Sequence, residues 1–500
     1  MQIYKEIINA KNGTQIPVFV SGKTMDSRYN PERDAENLLN TITEAAGFFV
    51  VLGAGSGIFL NLLSEKYPKS KILCLEIYRD DIEFLKAIPL IKELDDRHRV
   101  HFCCLEEIEN FLLQNYLPAK DGALKIIEER AWLNENQQQI ERINSILQKS
   151  LGIISADYSV QAHFGKIWTS NILNNSKLAE KYNSKNYQKI INNNLNKTAV
   201  IIGAGPSLDK TIEIIIKNPD KYFLIATDTA GQALRKRNII PDIIVSIDAQ
   251  SVSYNHYLSD KSWSAKTLFA FDLSANFSAA KHICNSANEV FFFCSGHPLS
   301  SAINLSCHSI LPEYFSGAGT VTITALDLAI KSGFKDIIIL GADFSYIDGK
   351  AYTKGTYLDS LYNKASSKIS EAEKSFSRLM FRTELIELDQ NKRTTQVLEA
   401  YKTSMEQYLK NNNITFTKEG DIYKLQNLNS DEIIKKQKGS DAAAFSLKGF
   451  FDKLAASPLE DAETFLLPYV AWLRNNDKYK YIDYKDLLKL ALDSIVRYNI

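Results

Sequence analysis

The sequence has no excess of either charge: Lys plus Arg and Asp plus Glu number 59 each. No strong overall field therefore draws nucleic acid or an anionic membrane to it. No apolar run approaches the ~18 residues of a membrane span, and the opening Met-Gln-Ile-Tyr-Lys-Glu lacks the basic stretch and apolar core of an export signal. Its six cysteines, Cys74, Cys103, Cys104, Cys284, Cys294 and Cys307, make no C-x-x-C pair and stand in no zinc spacing with His. Several lie in apolar, strand-like runs, where buried free thiols are common. A disulfide scaffold and a zinc module are both disfavoured, and the expectation is a cytoplasmic protein in a reducing compartment. Two further absences bear on chemistry. No Asp-x-Asp triplet occurs, the usual device for holding Mg²⁺ on a nucleotide diphosphate, and no His follows His308.

What is present is ordinary in bulk and specific in pattern. Five hundred residues with 45% apolar content exceed what one core organises, so two or three domains are expected. Near the start, Ser27 to Glu36 reads as a turn and a helix start. Phe48 to Gly57 then reads as a buried strand ending in a glycine turn, and Lys71 to Glu76 as a second strand ending in an acidic residue. This is how Rossmann-type domains hold a ribose, and it looks like an adenosylmethionine site; a degenerate Rossmann domain that binds little or nothing is the favoured reading. Residues 123 to 196 turn helical and polar and end Asn-rich, which reads as a linker.

The chain is organised around Lys197 to Leu208. Ala199 to Ile202 is a β-rich run that stops at Gly203-Ala204-Gly205-Pro206, followed by the hydroxyl of Ser207. The glycines admit positive φ or a closely approaching ligand, and N–H groups at the following helix start favour an anion such as phosphate. Two later strands close on Thr227-Asp228 and on Asp248, which places both carboxylates over the same crevice. Gly317-Ala318-Gly319-Thr320-Val321 leads into a further helix, Ile337 to Leu340 runs into Gly341-Ala342-Asp343, and Tyr346 and Tyr352 follow in a loop. His297 stands in a Ser-Gly-His-Pro turn.

This ordered set resembles the central domain of the motility accessory factor (Maf) flagellin glycosyltransferases, relatives of the 6-hydroxymethylpterin diphosphokinase MptE-like proteins. It also looks like the bacterial sialyltransferases of glycosyltransferase family forty-two, and Ser27 to Glu36 with Gly53 to Gly57 is similar to the Maf N-terminal domain. The resemblance covers residues 25 to 425. It implies an inverting transferase that moves a nonulosonic acid (pseudaminic, legionaminic or sialic type) from a CMP-activated donor to flagellin Ser or Thr. It also implies no metal, no cofactor, no nucleic acid and no membrane span. On it, Gly203, Ala204, Gly205, Pro206 and Ser207 cradle the phosphate, Thr227, Asp228 and Asp248 border the cytidine ribose, and Gly317, Gly319, Thr320 and Val321 meet donor carboxylate and base. Tyr346 or Ser345, with Tyr352, would hydrogen-bond the departing phosphate. The sialyltransferases carry Asn where Asp228 and Asp248 stand, and their general-base His has no counterpart in this sequence, so the acceptor proton goes to Asp343, another carboxylate or His297. An ATP- and Mg²⁺-using diphosphokinase and a non-catalytic flagellin-binding scaffold are the alternatives.

The expected architecture is α/β in four stretches: a Rossmann-like domain (1–125), a helical linker (126–196), a sialyltransferase-like (GT-A-like) catalytic domain with a parallel sheet (197–430) and a helical C-terminal domain (431–500).

Overall fold

The computed structural model describes residues 2–258, 263–286, 288–364, 380–381, 383–428, 445–480 and 482–499. They form two compact units, Met1–Gly165 with Leu467–Leu488, and Lys166–Leu466 with Lys489–Ile500.

The first unit opens with an antiparallel hairpin, β1 (Tyr4–Asn9) and β2 (Gln15–Phe19). Its sheet holds β3 (Phe48–Leu52), β4 (Lys71–Glu76), β5 (His101–Cys104) and β6 (Leu124–Glu128) in the order β5-β4-β3-β6, all parallel. Every residue of β3 is buried, as its unbroken Phe-Phe-Val-Val-Leu run requires of a strand covered on both faces. A Rossmann-like first domain is what the sequence predicts, and β3 with its glycine turn and the helix Ile58–Lys66 supplies it.

The crevice of that domain is filled by the chain itself. The indole of Trp132 is fully buried and lies against Gly53, where a Cβ would fall 2.5 Å from the ring. Glu76, the strand-end carboxylate, accepts from the Ala54 N–H at 2.7 Å, the Trp132 Nε1–H at 3.0 Å and the Tyr4 hydroxyl at 3.1 Å. The turn's Ser56 N–H and hydroxyl donate to Asp26 at 2.9 and 2.6 Å. The donors and the acceptor that a Rossmann site offers to a nucleotide are thus taken by Asp26, Tyr4 and Trp132.

Burial drives these carboxyls upward: Glu76 to about 7 and Asp26 to about 6, each against the hydrogen bonds it accepts, and Glu129 to about 7, with Asp26 adding to the rise. A carboxyl raised in the folded state keeps its proton where the unfolded chain has lost it. The stability it adds is therefore fully present below its unfolded value and is lost as pH rises through the folded one. The melting temperature of this unit is expected to fall between about pH 4 and pH 7. For Glu76, the change from 4.5 to about 7 corresponds to about 3 kcal/mol at ~1.4 kcal/mol per unit. Glu76→Gln should flatten the profile, and an unchanged slope in thermal scans would contradict the assignment.

The second unit is built on an eight-stranded sheet. Its members are β7 (Thr198–Ile202), β8 (Tyr222–Thr227), β9 (Ile243–Ser246), β10 (Leu268–Asp272), β11 (Val290–Phe293) and β12 (Ile337–Leu340). Outside this sheet, β13 (Tyr346–Ile347), β14 (Ile386–Glu387) and β15 (Lys392–Thr394) make a small antiparallel one. The main sheet ends with β16 (Thr417–Glu419) and β17 (Ile422–Leu425). The order is β11-β10-β9-β8-β7-β12-β17-β16, parallel from β11 to β12 and antiparallel beyond it. The chain leaves β7 toward β8 on one side and returns to β12 on the other, which puts the topological switch point between β7 and β12.

The boundaries differ from those expected. Within the stretch expected to be a helical linker, residues 137 to 182 form one 46-residue helix, Gln137–Tyr182, and the second unit begins inside it. In that unit Asn171 Nδ2 donates to the Ala249 and Ser274 carbonyls at 3.2 and 3.1 Å, and Asn175 Nδ2 to the Leu273 and Ala275 carbonyls at 2.9 and 2.7 Å. The buried face of this part of the helix thus caps the loops after β9 and β10. The tail is helical, as Lys448–Ala456, Glu463–Arg474 and Tyr484–Val496, but these helices are shared between the two units and form no unit of their own. Phe450 and Phe451 are buried.

Candidate active site at the switch point of the larger sheet

At the switch point two glycine turns interlock. Ile202 is in register with Leu340; beyond them the Gly203 N–H donates to the Leu340 carbonyl at 2.8 Å and the Gly205 N–H to the Gly341 carbonyl at 2.8 Å. A Cβ on Gly203 would overlap the Gly341 carbonyl, and one on Gly341 would overlap that of Gly203. Gly341 also sits at φ +64°, a region that side chains make costly. Gly203 and Gly205 hold negative φ, so the first turn needs glycine for closeness of backbone to backbone.

The carboxylate that follows completes the lock. Ser207 N–H donates to Asp343 Oδ2 at 2.8 Å, and the Ser207 hydroxyl donates to Oδ1. A Cβ on Gly205 would collide with the same carboxylate. Burial raises the Asp343 carboxyl, and the Ser207 bonds oppose the rise. Two expectations meet here. Ser207, the expected phosphate donor, and Asp343, a candidate base, are bound to each other. The helix after Pro206 and Ser207 is the four-residue Leu208–Thr211, too short to present an N-terminal anion site. Phe344, next to Asp343, takes the left-handed backbone at φ +48°, the kind of local strain that clusters at ligand sites.

The tyrosine loop is brought onto the glycine turn by a network that local sequence pattern does not reveal. Thr353 N–H donates to the Ala204 carbonyl at 2.8 Å. Asp209 accepts from the Thr353 hydroxyl, from the Lys354 N–H at 3.1 Å and from Arg237 Nη2 at 2.7 Å, and Arg237 Nη1 reaches the Lys354 carbonyl at 2.8 Å. Tyr352, just before this clamp, has its phenol pushed up to about 12 by burial and by neighbouring Tyr346, Tyr357, Tyr362 and Tyr401. Tyr346 lies in β13, paired with Arg393 of β15, and is half-buried.

Asp228 and Asp248 stand at the ends of adjacent strands, as predicted. Asp228 is buried behind Thr227, the N-cap residue of helix Asp228–Lys236. Its Oδ1 accepts from the Thr229 N–H at 2.7 Å and its Oδ2 from the Ser246 hydroxyl at 2.7 Å. Asp248 accepts from the Gln250 N–H at 2.9 Å. Burial lifts it to about 6, the Gln250 bond opposing and the Asp228 charge adding.

Gly317 and Ala318 line a groove of about 710 Å³ with one face of helix Gln396–Asn411. Gly317 and Gly319 have φ of +55° and +91°, and Thr320 is the N-cap residue of helix Val321–Ser332. Glu399, which no local motif singles out in the sequence, lines this groove. It also lines a cavity of about 80 Å³ bordered by Asp343, Ser345, Lys392 and Lys402. Glu399 is therefore common to the groove and the cavity.

His297 does not join them. It is the N-cap residue of helix Pro298–Ser306, its Nδ1 accepts from the Leu299 N–H at 3.2 Å, and its ring stands edge-on to Trp168. Burial lowers it to about 4. It follows β11, which is separated from β12 by β10, β9, β8 and β7, about 24 Å at ~4.8 Å per strand step.

Residues 170–349 match the model of the MptE-like family, described as 6-hydroxymethylpterin diphosphokinase MptE-like. An uncharacterized protein of Treponema pallidum (strain Nichols) is 36% identical over 148 residues, 29% of this chain and 69% of the relative. The chain belongs to the MptE-like family. A second uncharacterized protein of the same organism is 27% identical over 235 residues, 46% of this chain and 75% of its own length. A solved structure described as MAf glycosyltransferase from Magnetospirillum magneticum AMB-1 is similar with a TM-score of 0.48 and 12% identity, over 99% of this chain and 92% of that one. The MptE-like match begins at residue 170 and ends at 349, so it takes in Asn171 and Asn175 of the long helix, both glycine turns and Asp343. Among the described residues, no helix is long and apolar enough to cross a membrane.

Proposed function

We propose that the MptE-like module is a glycosyltransferase that moves a nonulosonic acid from a CMP-activated donor to Ser or Thr of flagellin in the cytoplasm, without a metal. The observation that carries this reading is the clamp that sets the tyrosine loop on the glycine turn, Thr353 to Ala204 and Asp209 to Arg237. It fixes neutral phenols at the carboxyl edge of the sheet. A departing CMP gains negative charge on its phosphate, and a phenol that stays protonated well above neutral pH, as Tyr352 does, donates to that charge. Asp248 supplies an acceptor suited to a ribose hydroxyl. Ser207 contributes by holding Asp343 in place.

A second reading, a pterin diphosphokinase using ATP and Mg²⁺, is favoured by the description of the matching family model. Calorimetric titration separates the two. CMP is expected to bind, and Asp248→Ala to weaken it by at least tenfold. Binding of ATP with Mg²⁺ and no response to CMP would replace the transferase with the diphosphokinase, and silence to both would leave a flagellin-binding scaffold.

A further inference from the structure

One buried imidazole beside Asp228 is used by nothing described so far. His256 ends the 3₁₀ turn Ser251–His256 that follows β9 and Asp248, and it is 7% exposed. Its turn is held from below and from within. Gln232 Nε2, one helical turn after Asp228, donates to the carbonyls of Asn255, His256 and Leu258 at 2.8, 3.1 and 2.8 Å. The Ser253 hydroxyl donates to the Gln250 carbonyl at 2.7 Å. The ring itself stands edge-on to Tyr357, centroids 4.6 Å apart, and its Nδ1 is buried with no hydrogen-bond partner among the described residues.

A buried polar atom is ordinarily paired, and a rigidly held turn with an unpaired imidazole nitrogen at the carboxyl edge of a parallel sheet suits a ligand group. The groups around it define which kind. Asp228 and Asp248 are carboxylates with fixed backbone or hydroxyl donors, and Tyr357 is a phenol whose titration burial displaces upward. Burial holds the imidazole below its ordinary range while the Asp228 charge opposes that, so at neutral pH His256 is an uncharged acceptor. Such an array repels phosphate and receives hydroxyls.

We propose that His256 takes the proton of the acceptor hydroxyl, with Asp228 as the carboxylate that stabilises the imidazolium formed. The proposal rests on the transferase reading. The acceptor O–H bond breaks and an N–H bond forms on His256. The acceptor oxygen bonds to the anomeric carbon of the sugar as that carbon's bond to the phosphate oxygen breaks, and CMP leaves with the electron pair. The proton then passes to solvent. The Tyr357 ring packs edge-on against His256, and the acceptor is expected to move that ring aside. A carboxylate that balances the charge of an imidazole base is part of the logic of the hydrolytic triads, reached here from two adjacent strand ends.

The test follows the imidazole directly. In the full-length protein with ¹⁵N-labelled histidines, the His256 signal is assigned by its loss in His256→Gln and followed during titration with CMP. CMP-N-acetylneuraminate then serves as the turnover probe, read as CMP release. The expected result is that CMP binds, displaces the His256 signal, and binds His256→Gln within threefold of wild type, while that variant releases CMP at least 100-fold more slowly. A general base contributes about 10²–10⁴-fold. CMP binding that leaves the His256 signal unmoved, or an undiminished rate in His256→Gln, overturns the assignment and leaves the transferase reading intact. If the wild type does not turn over the probe, the CMP titration of the His256 signal decides alone. Absence of CMP binding to wild type overturns the transferase reading and this proposal with it.

Discussion

Replacing Trp132 with alanine is expected to lower the stability of the first unit by about 3–5 kcal/mol, the range for deleting a fully buried large aromatic side chain. The ring fills the space over Gly53, and its Nε1–H at 3.0 Å is one of the donors on Glu76. Removing it opens a cavity and strips a hydrogen bond from a carboxyl that is 0% exposed. Trp132→Phe separates the two effects, since it keeps most of the ring volume and loses only the N–H; it should cost about 1–3 kcal/mol. Both are read as shifts of that unit's own unfolding transition, because a chain with two units does not unfold as one two-state system. A loss below ~1 kcal/mol in Trp132→Ala would show that the ring is not a core element. Because Trp132, Tyr4 and Asp26 already hold the groups of the crevice, wild-type protein is expected to give no heat on titration with S-adenosylmethionine.

Gly341→Ala should be the most damaging single-methyl change in the second unit. Its backbone is left-handed at φ +64°, which costs a side chain about 1–2 kcal/mol, and the added carbon overlaps the Gly203 carbonyl. Overpacking against backbone that is itself hydrogen-bonded adds about 1–3 kcal/mol. The sum is about 2–5 kcal/mol. If any folded protein remains, the two turns must part, which breaks the Gly205 to Gly341 bond and moves Asp343 off Ser207. CMP binding should then fall with stability. Gly349→Ala provides the contrast: that glycine also has positive φ, at +70°, but a Cβ there meets nothing within 4 Å, so only the backbone cost remains. Equal unfolding temperatures for Gly341→Ala and Gly349→Ala would contradict the interlocked turns.

Several features were legible in the residues because they are local. An apolar, β-rich run that stops at glycine or at an acid marks a buried strand and its end, so β3, β4, β7, β8, β9 and β12 and the acids Glu76, Asp228, Asp248 and Asp343 at or just after strand ends could be placed from sequence. The parallel α/β class followed from their alternation with helical stretches. Local pattern also marks residues 126 to 196 as helical, as a linker, without the bounds of Gln137–Tyr182. An amphipathic helix reads alike whether it spans a gap or caps another domain's loops, and the Asn171 and Asn175 bonds that decide the matter reach residues 78 to 103 positions away.

The sequence by itself determined the strands, the glycine turns and the acids at their ends, since each depends on neighbours within a few residues. Tertiary structure alone decided which groups meet. It gave Ser207 to Asp343, Glu76 to Trp132 and Tyr4, and the tyrosine loop to Ala204 through Asp209 and Arg237. It set His256 beside Asp228 and removed His297 to the other edge of the sheet. Those outcomes depend on strand order and on side chains far apart in the chain, and strand order is fixed by the whole core rather than by any one of its segments.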